Sequence, residues 1–168
     1  MISTIYWINE QVVGEKMLGI MPRPRGNDWL DDEIKWLKIR EVDCLVSLLE
    51  SSEIYELELG KEAELCQINN IQFINFPIKD VNVPSEKKYF IQLVNRLNEY
   101  LNDSKKIVIH CRMGIGRASV LASAILIKRG INAENVFEII SKHRELEVPD
   151  TEEQKKWIFS LAEELTQE

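Results

Sequence analysis

Apolar positions recur along this chain in two rhythms. Short runs rich in β-branched residues lie at 5–8, 16–20, 44–48, 72–75 and 106–110, the pattern of strands buried on both faces. Between and after them, apolar residues fall three and four apart. This spacing predicts helices over 28–40, 60–69, 85–101, 117–129, 133–143 and 151–165. In the third of these, Phe90, Leu93, Val94, Leu97 and Leu101 share one face. Asn27 or Asp28 is expected to cap the first helix, Pro84 to open the third, and Gly130 to stop the fourth. Strands alternating with helices imply an α/β fold, a central mostly parallel sheet with helices on both faces. No repeat, linker or low-complexity tract interrupts the 168 residues, so one domain over 1–168 is expected.

Composition narrows the function. The chain is 45% hydrophobic and 29% charged, as in soluble globular proteins. Its net charge of −7, with acid concentrated in residues 50–64 and 145–164, argues against nucleic acid or an anionic membrane as partner. Those acids read as surface residues serving solubility. Three cysteines without paired spacing and only two histidines predict neither a disulfide framework nor a metal centre. The first residues lack the basic and apolar regions of a secretory signal, and the longest apolar stretch, 118–127, is too short to cross a bilayer. A reducing, cytoplasmic location is the expectation.

One segment changes this picture. A short apolar strand feeds His110-Cys111-Arg112-Met113-Gly114-Ile115-Gly116-Arg117, and an apolar helical stretch follows. Hydrolysing a phosphate ester through an enzyme nucleophile needs a thiolate, a cradle of backbone N–H groups and a bidentate cation. All three are encoded here. A helix N-terminus presents unpaired N–H groups and a positive dipole end, which also favours a thiolate at Cys111. Gly114 and Gly116 let the backbone turn and approach a ligand. Arg117 supplies the planar fork that matches phosphate oxygens.

The segment resembles the Cys-x5-Arg signature loop of the protein tyrosine and dual-specificity phosphatases, in the His-Cys-x-x-Gly-x-x-Arg form. Residues 21–26, Met-Pro-Arg-Pro-Arg-Gly, resemble the opening segment of small bacterial and atypical dual-specificity members and of cyclin-dependent kinase-associated phosphatases. The resemblance implies a cysteine phosphatase fold over essentially the whole chain, acting without cofactor or metal. Cys111 would be the nucleophile. Arg117 and the backbone of Arg112, Met113, Gly114, Ile115 and Gly116 would hold the phosphate, and His110 would order the loop. The substrate would be a phosphorylated protein or peptide, carrying phosphotyrosine or also phosphoserine and phosphothreonine. Oligomeric state is left open.

A carboxylic acid must accompany the cysteine to protonate the leaving oxygen. The loop 76–85 lies after a strand and before a helix, and its Asp80-x-x-x-Pro84-Ser85 resembles the family's general-acid loop, with Asp80 matching the acid. Gln154, ahead of the last helix, matches a glutamine that positions the hydrolytic water in related phosphatases. Thr151-x-x-Gln154 is equally a helix capping box. Arg23, Arg25 and Lys79 are candidates for charge around the mouth, though solvated surface positions are favoured for them. Arg112 matters for its backbone N–H more than its side chain. After the arginine most relatives carry Ser or Thr, whose hydroxyl helps the sulfur leave. Here that position is Ala118, so breakdown of the intermediate is expected to limit turnover. Two other readings stand beside the phosphatase: a phosphate-binding module with little turnover, for which Ala118 speaks, and an arsenate reductase-like enzyme, which would need Cys44 or Cys66 near the site.

Overall fold

The structure is a computed structural model that describes residues 3–167; Met1, Ile2 and Glu168, included in the expected domain, lie outside the described residues. Five strands, β1 (Tyr6–Trp7), β2 (Leu18–Met21), β3 (Cys44–Ser47), β4 (Gln72–Asn75) and β5 (Ile107–His110), form one sheet in the order β1-β2-β5-β3-β4. All neighbouring pairs are parallel except β1 with β2. The helices are α1 (Leu30–Ile39), α2 (Ser51–Glu56), α3 (Glu62–Ile68), α4 (Lys87–Asn102), α5 (Arg117–Lys128), α6 (Val136–Arg144) and α7 (Glu152–Leu165), with a 3-10 turn at Asn27–Trp29.

The two-residue period of the strands sorts their side chains into two cores. Ile107, Ile109 and Cys111 of the β5 run join Cys44, Val46, Leu18 and Ile20 under α4 to α7. Val108, Leu45 and Met21 face the other side, where α1 and α3 pack. The expected architecture holds. Helix α5 is buried all round from Arg117 to Ile127, as its unbroken apolar composition requires of a helix packed against α4, α6 and α7.

Three local expectations are corrected. The first helix is not capped by Asn27 or Asp28: those residues form the 3-10 turn, and α1 starts from Trp29 without a side-chain cap. Pro84 lies ahead of α4, which begins at Lys87 after an extended Glu86. Helix α2 was not anticipated, because six residues give less than two turns and no apolar periodicity. Its start is nevertheless marked by a box in which the Glu50 and Glu53 side chains each accept from the other's backbone N–H.

The register places the site. His110 lies between Met21 of β2 and Ser47 of β3. Cys111 therefore leaves the carboxyl edge of the sheet between the segments that follow those strands, where ligands bind in parallel α/β sheets.

Candidate active site

The loop from Cys111 to Gly116 is held open by its carbonyls. The Cys111 carbonyl lies 3.4 Å from His110 Nδ1, and the Arg112 carbonyl accepts from the Arg23 N–H at 3.2 Å. The Met113 and Gly114 carbonyls accept from Nη2 and Nε of Arg144 at 3.0 and 2.8 Å. In a trans peptide the N–H points opposite to its carbonyl. Four bonded carbonyls thus turn the N–H groups of residues 112–115 to the other side of the loop, an arrangement of donors suited to an anion. Arg144 is buried and stacks over Tyr6, 4.0 Å from the ring centroid. Gly114 adopts φ +68°, and a Cβ there would come within 2.7 Å of the Met21 backbone, so only glycine serves.

His110 is fully buried, and its Nε2 lies 2.6 Å from Oε2 of Glu62. Glu62 is itself buried on α3, and its Oε1 has no partner among the described residues. Arg117, 1% exposed, makes a two-point contact with Glu53: Nη1 to Oε1 at 2.7 Å and Nη2 to Oε2 at 3.0 Å. Its Nη1 also donates to the Ile78 carbonyl at 2.8 Å, tying the acid loop to the signature loop. Burial opposes the arginine's charge, yet Glu53, Cys111 and Asp80 outweigh it and raise its pKa. Burial alone would push the Glu53 carboxyl up. Hydrogen bonds from Arg117 and the Glu50 N–H, with help from Arg112, hold it below the ordinary glutamate range.

Asp80, on the loop after β4, lies beside Arg117. Its Oδ1 accepts from the Val81 N–H at 3.0 Å and forms an ion pair with Arg117, 3.0 Å from Nη2. Of the five guanidinium N–H groups of Arg117, Nε–H and one Nη2–H have no hydrogen-bond acceptor among the described residues.

The family described as polymorphic toxin system, DSP-PTPase phosphatase, matches residues 19–131, a run that contains Asp80, Cys111 and Arg117. The chain belongs to this family. It is 34% identical over 90 residues to protein 197R of Invertebrate iridescent virus 6, named as a tyrosine phosphatase; the match covers 48% of this chain and 34% of that protein. It is 31% identical over 74 residues to the human receptor-type tyrosine-protein phosphatase C, covering 44% of this chain and 6% of the receptor. The chain thus spans only about a third of the first relative and a small part of the second. The fold superposes on the kinase associated phosphatase with its catalytic-site cysteine replaced by serine, at a TM-score of 0.90, 18% identity, and coverage of 100% of this chain and 98% of that one.

Set against this family, the remaining candidates divide. Gln154 is fully buried, and the capping box forms: the Thr151 hydroxyl accepts from the Gln154 N–H at 3.1 Å, and Gln154 Oε1 accepts from the Thr151 and Asp150 N–H groups at 3.2 and 3.0 Å. Its Nε2 donates to the Asn82 carbonyl at 3.0 Å and retains a second N–H. The cap and a place at the site therefore coexist. The Arg112 side chain is engaged by Glu53 and Glu56 at 3.4 and 3.2 Å. Arg25 is paired with buried Glu33 at 2.8 Å, and Arg23 Nη1 donates to Pro24, so neither is simply solvated. Lys79 is exposed.

The largest correction concerns the acidic stretch 50–64. Glu53 and Glu62, read as solubility residues, are the buried partners of Arg117 and His110. A signal existed for Glu62, which shares an i,i+4 face with buried Cys66. Asp150 was missed as well. A Cβ on Gly116 would collide with its Oδ2 and come within 2.9 Å of its Cγ. Gly116 has a negative φ of −84°, so the turn does not demand glycine there; the atoms nearest a Cβ would be this carboxyl and Gln154 Nε2. Cys44 pairs with Ile107, four residues or about 13 Å of strand before Cys111, beyond disulfide reach. Burial pushes the thiols of Cys44 and Cys66 up to about 12. These positions fit core residues and give no support to a resolving cysteine.

Proposed function

We propose that the chain is a single catalytic domain over residues 1–168 that hydrolyses phosphomonoesters on proteins through a phosphocysteine. The observation that carries this reading is the cradle itself. Hydrogen bonds to the carbonyls of residues 111–114 turn the N–H groups of residues 112–115 the opposite way, which supports a phosphate bound between Cys111 and Arg117. The Cys111 thiolate attacks phosphorus; the P–O bond breaks as Asp80 protonates the leaving oxygen. Water then attacks the phosphocysteine, the P–S bond breaks, and the thiolate returns. Gln154, with its spare N–H, is suited to orient that water. No metal or cofactor enters these steps.

A single phosphate is the favoured recognition unit. The Arg112 side chain, which a second phosphate would need, is engaged by Glu53 and Glu56. Phosphotyrosine, with phosphoserine and phosphothreonine as further candidates, suits the site better than a highly charged phosphoinositide. All three cysteines are free and no described helix is long and apolar enough to cross a membrane, consistent with the cytoplasmic location we propose.

The test is p-nitrophenyl phosphate and phosphopeptide hydrolysis against pH, with chelator present. Activity should be bell-shaped in pH, with a mildly acidic optimum, since the reaction needs thiolate Cys111 together with protonated Asp80. Cys111→Ser should abolish it and Asp80→Asn should lower it about 10²-fold or more. An inactive wild type that still binds phosphopeptide would overturn the reading in favour of a binding module.

A further inference from the structure

We infer that Asp150 is a second catalytic carboxyl of this centre, the general base that takes a proton from water when the phosphocysteine is hydrolysed. This rests on the phosphatase reading above and assigns its second step to a residue other than Asp80.

Asp150 reaches the loop from the segment just ahead of α7, not from the acid loop. Its carboxyl lies against the Cα of Gly116, inside the space a Cβ would fill. Nε2 of Gln154 comes within 3.0 Å of the same point. A carboxylate and an amide with a spare N–H therefore converge over one residue of the phosphate loop. The stem is rigid: the Asp150 and Thr151 N–H groups both donate to Gln154 Oε1, and Gln154 Nε2 holds the acid loop at Asn82.

The two aspartates differ in what occupies them. Asp80 Oδ1 accepts from the Val81 N–H and is ion-paired with Arg117. Neither carboxyl oxygen of Asp150 has a hydrogen bond or ion pair among the described residues. The charges that face Asp150 are Asp80 from the acid loop and Arg117 from α5. Burial and then the charge of Asp80 raise its pKa, which Arg117 opposes only in part. A carboxylate with a raised pKa and free lone pairs is the better proton acceptor.

The step balances without a further reagent. Water oxygen bonds to phosphorus, one water proton passes to Asp150, the P–S bond breaks, and its electron pair restores the Cys111 thiolate. Inorganic phosphate leaves, and Asp150 returns its proton to solvent. With no hydroxyl at Ala118 to help sulfur depart, this step limits turnover, so the base is visible in kcat.

Rapid-quench kinetics on the full chain with p-nitrophenyl phosphate test the assignment. Asp150→Asn should keep the burst rate constant of p-nitrophenolate within about threefold. Its steady-state rate should fall about 10²-fold, and acid quench should reveal phosphate accumulated on Cys111 by mass spectrometry. Asp150→Glu should recover part of the steady-state rate. Asp80→Asn should instead slow the burst. An Asp150→Asn enzyme with unchanged kcat, or with burst and steady state slowed equally, would overturn the role while leaving the phosphatase reading intact. A wild type without Cys111-dependent p-nitrophenolate would overturn both.

Discussion

The signature loop and the ring of carboxylates around it are built in opposite ways. The loop is local: nucleophile, cradle and cation come from residues 111–117, launched by β5 and closed by α5. The ring is assembled from distant segments: Glu53 from α2, Glu62 from α3, Asp80 from the loop after β4 and Asp150 from the start of α7. The local part carries the positive field that phosphate needs. The distant part decides how that field is held and which carboxyl exchanges a proton. In a chain of net charge −7, the acids near the site are divided between buried counter-ions and candidate proton carriers, and the difference lies in their partners. Glu53 is bound at both oxygens; Asp150 is bound at neither among the described residues.

Breaking the link between the two parts should have its largest effect at Glu53. Glu53→Gln removes the two-point partner of buried Arg117 and leaves only half-exposed Asp80 beside it; breaking such a buried pair costs about 3–5 kcal/mol. We expect a marked fall in the urea midpoint and in kcat/KM, since the guanidinium loses the support that fixes its plane. Glu53→Ala should be at least as damaging, because it also removes the α2 cap.

The same pair should give the protein an acid limb of stability. The Glu53 carboxyl is held below its ordinary value in the folded state, so its contribution is fully present above the unfolded glutamate pKa, about 4.3. It is lost as pH falls through the lower folded value. Urea unfolding measured from neutral pH to about pH 3 should show the wild type and Glu53→Gln converging at the acid end. A constant gap would mean that the carboxylate charge is not what stabilises Arg117.

A smaller effect is expected at Glu62→Gln. The buried contact to His110 is replaced by a neutral one, which should cost about 1–3 kcal/mol. Calorimetry should show a lower Tm, and inhibition by inorganic phosphate should weaken, because His110 supports the Cys111 carbonyl. Unchanged phosphate inhibition would confine Glu62 to stability. The mildest change is Ala118→Ser, which adds one hydroxyl at a fully buried position. It should raise steady-state turnover several-fold and diminish the burst; a burst of unchanged amplitude would separate turnover from sulfur departure.

Most of the fold was legible because period and punctuation are local. All five strands and six of the seven helices lie where the apolar spacing puts them, with ends shifted by a few residues as terminal turns tighten or fray. Helix α2 escaped because it is shorter than the window in which periodicity can be seen. Of the site, Cys111, Arg117 and the cradle were readable as one motif, and Asp80 as a loop facing the same sheet edge. Gln154 was readable only as a choice between cap and site; the cap forms, and its Nε2 also lies beside Gly116.

The sequence by itself determined the chemistry of the centre, since a strand, a cysteine, a glycine-rich turn and an arginine opening a helix must place thiol, N–H groups and guanidinium together. Only the tertiary structure decided which of 28 acidic residues belong to it. A carboxylate becomes a counter-ion or a proton carrier through burial and through neighbours brought from elsewhere in the chain. Glu53 and Arg117 are 64 residues apart, and Glu62 and His110 are 48 apart. No local rule separates such a glutamate from one that faces water.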